Sequence, residues 1–202
     1  MKNLFLVTIL QMVTMVAHAQ ISNEILVGHK QVQYLSYWQK DIDSIGKFNF
    51  FNINRFAIDY NDKLLNNFST EGQVTYLLKD WIGIAVGGGF DKEHFMPTLG
   101  LNLSYTNRKR DFFIEGYPTI VITKPIAPGI FALIGYNPMF NKKWGFSSQL
   151  IFSLDEIQSS QLLRVGLNFK DNIQFGIGAD MHQFQQSEAN FYNLGFFVRV
   201  NL

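Results

Sequence analysis

The sequence predicts an all-β protein, a closed antiparallel up-and-down transmembrane β-barrel of about ten strands within a range of eight to twelve. Three observations carry this prediction. After residue 46 apolar residues recur at every second position almost without interruption, and helical periodicity is hard to find. The face opposite the large apolar residues is small or uncharged over long runs, as at Gly83, Ala85, Gly87 and Gly89 against Ile82, Ile84 and Val86. The final segment is itself an alternating strand, with Leu194, Phe196, Val198, Val200 and Leu202 on one face and Asn193, Gly195, Arg199 and Asn201 on the other.

Composition narrows the function classes. A chain of 202 residues suits one domain, and a net charge of +1 removes the electrostatic case for nucleic acid as a partner. Without cysteine there is no disulfide, thiol catalysis or thiolate metal site. Twenty Phe and sixteen Gly favour half-buried pleated surfaces interrupted by crowded positions.

Taken in order, residues 1–19 read as a secretory signal peptide. Lys2 supplies the positive start, Leu4 to Val16 the apolar stretch, and Ala17-His18-Ala19 a cleavage site before Gln20. Thr8, Gln11 and Thr14 interrupt the apolar stretch, which is too short to span a bilayer comfortably. Residues 20–46 leave three readings open: an N-terminal arm, a lumen plug or an extra strand pair, with alternation from Gln31 to Trp38 and a turn from Asp41 to Gly46. Residues 47–202 form the barrel, with strands near 47–60, 68–78, 81–90, 94–105, 111–123, 129–138, 143–153, 159–169, 172–181 and 190–202. The connections are expected to alternate, shorter turns such as Lys79-Asp80 and Lys170-Asp171 facing the periplasm and longer loops lying on the outer side.

Alternation also occurs in soluble sheets, so the membrane assignment rests on where charge and aromatic residues fall. Charges collect in turns, at Lys79-Asp80, Arg108 to Arg110, Lys142-Lys143 and Lys170-Asp171, leaving strand centres largely free of them. That suits a lipid-facing wall, where a mid-plane Lys or Arg costs roughly 2–4 kcal/mol. Trp81, Tyr105, Phe112, Trp144 and Phe169 flank the short turns and form a candidate interface girdle.

Over residues 47–202 this pattern resembles the small outer-membrane β-barrel proteins of Gram-negative bacteria, and the tail resembles their C-terminal assembly signal, with Leu202 where an aromatic residue is more usual. The resemblance implies residence in the cell outer membrane, contact with its lipids, and recognition of the C-terminal strand by the barrel-assembly machinery. It names no activity.

Candidate chemistry is sparse. Arg55, Asp59, Glu115, Arg164, Asp180 and Arg199 fall on the predicted lumen face, where buried charge needs a partner, so the simplest expectation is an ion-pair network in a largely filled barrel. This favours a structural or interaction role, with outer loops or the N-terminal arm meeting a protein partner or envelope lipids. The alternatives are a narrow small-solute channel lined by Arg164, Arg199 and Glu115, and a rim enzyme, lipid-modifying or proteolytic. The enzyme would use His94 beside Asp91 and Glu93, or His182 beside Asp180, as general base. A soluble periplasmic ligand-binding barrel is less consistent with the charge-free strand centres. No paired-His spacing suggests a metal, and no motif suggests a cofactor; Gly87-Gly88-Gly89 lacks the Lys-Ser/Thr of a phosphate loop. Three features conflict with a simple barrel. Pro118 falls mid-strand and predicts a bulge, Phe51 and Ile53 are out of phase with Phe56 and Ile58, and the strand at 129–138 is apolar on both faces.

Overall fold

The computed structural model describes residues 20–90, 94–123, 125–155, 158–184 and 190–202. Residues 1–19, the expected signal segment, together with Asp91, Glu93 and residues 185–189, lie outside the described residues. Twelve strands close into one antiparallel barrel: β1 (Gln20–Gly28), β2 (Gln31–Asp41), β3 (Phe48–Asp59), β4 (Asn67–Lys79), β5 (Ile82–Phe90), β6 (Phe95–Thr106), β7 (Phe112–Val121), β8 (Ala127–Tyr136), β9 (Trp144–Leu154), β10 (Gln158–Phe169), β11 (Ile173–Phe184) and β12 (Asn190–Asn201). Each strand pairs with its chain neighbours, and β12 returns to β1 in register from Ser22↔Asn201 to Gly28↔Gly195. The start of β1 and the end of β12, the chain ends among the described residues, therefore sit at one rim.

The count stands at the upper end of the predicted range because residues 20–41 supply β1 and β2. The barrel thus starts at Gln20 rather than at residue 47. These strands also change the loop pattern. Connections at the rim with the chain ends occupy 42–47, 80–81, 107–111, 137–143 and 170–172, and those at the opposite rim occupy 29–30, 60–66, 91–94, 122–126, 155–157 and 185–189. The expected contrast in length does not hold, since the tight link at 29–30 joins the long-loop rim and 42–47 joins the other. That link is held by Asn193, whose Oδ1 accepts from the Lys30 and Gln31 amides at 3.0 and 3.3 Å while its Nδ2 donates to the Gln31 carbonyl at 3.2 Å. Gly28 makes this clasp possible, because a Cβ there would run into the Asn193 amide.

Alternation sorts the side chains by face. Ile84, Val86, Leu99, Leu101, Leu103, Leu163, Val165, Leu167, Phe196 and Val198 are exposed and form an apolar outer wall. Glu24, Asn102, Ser147, Gln149, Arg164, Gln174, Asp180, Asn193 and Arg199 are buried and face the lumen. A polar inside with an apolar outside inverts the soluble barrel and matches a wall that meets hydrocarbon. One outward patch departs from it. On β3 and β4 the Asn52 amide oxygen accepts from Trp38 Nε1 at 2.9 Å and Asn54 Nδ2 at 2.7 Å, while Thr70 Oγ1 donates to Asn54 at 2.7 Å. These polar groups satisfy one another, which lowers their cost on an apolar surface.

Pro118 produces no bulge. It pairs with Ile130 in unbroken register with β8, while pairing with β6 lapses between Gly100↔Thr119 and Leu103↔Gly116. The missing proline donor falls where the ladder is interrupted. A register shift occurs instead at Leu77/Lys79, between β4 and β5.

Candidate functional site

The lumen is divided at mid-height. Leu35, Phe51, Ile53, Leu133, Ile151 and Leu162 point inward and form a buried apolar cluster, with Tyr37, Phe113 and Phe131 packed against it. Phe51 of β3 reaches across to β7 and β8, its ring centroid 6.0 Å from Tyr117 and 6.2 Å from Phe131, and the latter two rings are 5.8 Å apart. These rings meet across the lumen and narrow it with apolar surface at this level. The two sequence conflicts on β3 and β8 are this layer: Phe51 and Ile53 keep phase by facing inward, leaving Asn52 and Asn54 outside, and Phe131 and Leu133 give β8 its second apolar face.

A cavity of about 670 Å³ lies above the layer and opens at the rim opposite the chain ends. Its floor includes Leu35, Phe51, Tyr117, Phe131 and Leu162, and its walls carry Gln31, Gln33, Ser69, Gln73, Thr119 and Ser160. A smaller cavity of about 190 Å³, lined by Gln39, Asn49, Thr75, Asn102 and Glu115 among others, lies on the other side.

Charge is organised along one wall. Glu24 Oε1 accepts from Arg164 Nε at 2.7 Å, and its Oε2 accepts from Arg199 Nε at 3.0 Å and Nη2 at 2.5 Å. Arg164 Nη1 also pairs with Asp180 Oδ1, and Arg199 Nη1 donates to Gln174 Oε1 at 3.1 Å. These buried charges balance one another, and the Phe197 ring packs beneath both guanidiniums. Gly178 leaves room for the arrangement, since a Cβ there would meet Leu26 Cδ1 at 2.7 Å and Arg164 Cδ at 3.0 Å.

Of the predicted lumen charges, the structure brings Arg164, Asp180 and Arg199 together through Glu24. That hub lies in the segment whose role the sequence leaves open. The parity of Ser22, Glu24, Leu26 and Gly28 against Ile21, Asn23, Ile25 and Val27 is the signal that places it. Glu115 stands apart beside the smaller cavity and accepts from Tyr117 Oη at 3.0 Å. Asp59 holds the following turn, accepting from the amides of Asn61 at 2.9 Å and Asp62 at 3.0 Å. Arg55 remains outside the network. It lines the large cavity, its charge is felt at Asp180 and His182, and its Nε and Nη2 are buried without a hydrogen bond among the described residues.

His182 faces the same cavity, but Asp180 gives Oδ1 to Arg164 instead of forming the acid–His pair a rim base needs. His94 is exposed at the cavity-side rim, and its proposed partners Asp91 and Glu93 lie outside the described residues. Among the described residues no cluster of three or more His, Asp or Glu could hold a metal. The five aromatic residues of the candidate girdle lie at the rim with the chain ends; Trp81 and Tyr105 are exposed, and Trp144 packs on Phe169 at 4.8 Å.

The sequence matches no protein-family model and no curated protein. Solved structures do match. The chain aligns with the NanC porin over 91% of its own length and 98% of that chain, at 9% identity and a TM-score of 0.52. It aligns with the KdgM porin, in complex with disordered oligogalacturonate, over 90% of its length and 97% of that chain, at 10% identity and a TM-score of 0.51. The fold is that of small outer-membrane porins. At such identity the likeness is one of architecture, and it agrees with the lipid-compatible outer wall.

Proposed function

We propose that this chain is a small-solute pore of the outer membrane, with its chain ends toward the periplasm and its large cavity open to the outside. The observation that carries the reading is the pair of cavities separated by a thin apolar layer. A barrel with a purely structural role has no use for a vestibule of about 670 Å³ ending on a cross-lumen aromatic contact. Hydrophobic constrictions gate by excluding water, and small rotations of Phe51 or Phe131 would join the two cavities. The fold shared with the KdgM and NanC porins supports a channel over the filled barrel favoured by the sequence.

Planar-bilayer recording tests this. The wild-type chain should dwell mainly closed with brief openings, and Phe131→Ala should raise open time and conductance several-fold. A correctly folded Phe131→Ala barrel that passes no current would end the reading.

A further inference from the structure

The pore reading gives no role to Arg55, whose Nε and Nη2 are buried without a hydrogen bond among the described residues. Arg55 is half-buried, and guanidinium donors left unsatisfied beside a cavity open at one rim mark a place for an anionic acceptor. Two features of the vestibule restrict which anion. First, Arg55 is the one lumen arginine the charged wall does not consume, because Glu24 and Asp180 take up Arg164 and Arg199. Glu71, on the same lining, adds a negative charge that a second carboxylate would meet. Second, the floor is apolar and aromatic. Phe51 and Arg55 share the inward face of β3 four residues apart, which separates floor and cation by about 13 Å along the strand.

We propose that the vestibule binds an amphipathic monocarboxylate, with its one carboxylate on Arg55 and its aromatic or aliphatic body on the floor of Phe51, Tyr117 and Phe131. The proposal rests on the pore reading for the route by which such a solute arrives. The guanidinium supplies charge-assisted hydrogen bonds through Nε and Nη2, and the rings supply apolar contact. A polyanionic or fully hydroxylated solute satisfies only the first requirement.

The test uses the full mature chain in lipid nanodiscs, with calorimetric titration of 4-phenylbutyrate, 4-phenylbutanol and galacturonate against empty-nanodisc controls. Saturable binding of 4-phenylbutyrate, about tenfold or more tighter than either comparison compound, is expected. Arg55→Gln should weaken phenylbutyrate by a similar factor and leave phenylbutanol unchanged, while Arg55→Lys should retain part of the affinity. Galacturonate binding as tightly as phenylbutyrate, or Arg55→Gln binding phenylbutyrate like wild type, would overturn the proposal. If Arg55→Gln does not fold, as judged by heat-modifiable gel migration, the ranking of the three compounds on the wild-type chain decides alone. Bilayer recordings on the same preparation separate the two claims. Conduction without phenylbutyrate binding overturns the ligand class and leaves the pore, whereas binding without conduction overturns the pore and leaves the site.

Discussion

Glu24 holds two arginines at once, and that makes it the most consequential residue of the lumen wall. It is 2% exposed, as are Arg164 and Arg199, so losing its charge leaves two buried cations with one remaining carboxylate. Glu24→Gln should destabilise the barrel by roughly 3–5 kcal/mol, read as a shift in the urea unfolding midpoint in vesicles. A change below about 0.5 kcal/mol would show that water reaches these groups and that the wall is not dry. Asp43, in the turn after β2, belongs to the same scale with the opposite setting. Its partly exposed carboxylate accepts from the Phe48 amide at 2.8 Å and the Lys47 amide at 3.1 Å, and these bonds, the Phe48 amide first, hold it below its ordinary value of 3.8. Because the folded-state pKa is lowered, the turn's extra stability is present at neutral pH and is lost as pH falls through that lowered value. Side-chain NMR of Asp43 should titrate below 3.8, with the Phe48 and Lys47 amides exchanging faster beneath the same midpoint. An Asp43 titration at or above 3.8 would contradict the turn geometry.

Individual strands show why some sequence features were legible and others were not. β6 alternates cleanly from Pro97 to Tyr105, with Leu99, Leu101 and Leu103 exposed and Thr98, Gly100, Asn102 and Ser104 inward, and β12 does so on its outer face from Tyr192 to Val200. β3 and β8 break the pattern because they carry the two sides of the mid-lumen layer and are apolar inward as well. A local reading registers this as a conflict of phase. Only the pairing of strands across the barrel turns it into a contact between Phe51 and Phe131. The hairpin between β10 and β11 offers a test at this scale. Lys170 and Asp171 both adopt positive φ, 55° and 62°, and the Asn172 amide donates to the Phe169 carbonyl at 3.2 Å, which is a type I′ turn built without Asn or Gly. The double substitution Lys170→Asn and Asp171→Gly should therefore stabilise the barrel by about 1 kcal/mol in the same unfolding assay. Loss of stability would show that the Asp171 contact with Asn168 Nδ2, at 3.0 Å, outweighs the backbone strain.

At the scale of the whole molecule, closure is the property on which everything else depends. β12 pairs with β1 from Gly195 to Asn201, the Leu202 amide donates to the Ile21 carbonyl at 2.8 Å, and Asn193 clasps the β1–β2 link, so the barrel closes at this seam. Removing residues 20–28 should leave the β12 and β2 edges unpaired and abolish the heat-modifiable gel band that a closed barrel gives. A truncated chain that still shows the band would mean the barrel can close on fewer strands. The apolar outer wall makes a second prediction: the intact chain should stay in the membrane pellet through an alkaline carbonate wash, and release into the supernatant would refute lipid burial.

The sequence by itself determined the class of this protein, because strand periodicity, charge-poor strand centres and small lumen-facing residues are local facts that a bilayer constrains directly. It also identified Arg164, Asp180 and Arg199 as lumen charges from parity alone. The tertiary structure decided which of them meet. Closing twelve strands sets β1 between β12 and β2, which brings Glu24 between Arg164, 140 positions away in the chain, and Arg199, 175 away. The same closure sets Phe51 against Phe131 and leaves Arg55 Nε and Nη2 without a hydrogen bond among the described residues beside the large cavity. Parity is written along one strand, whereas partnership across a lumen depends on how many strands close and in what register.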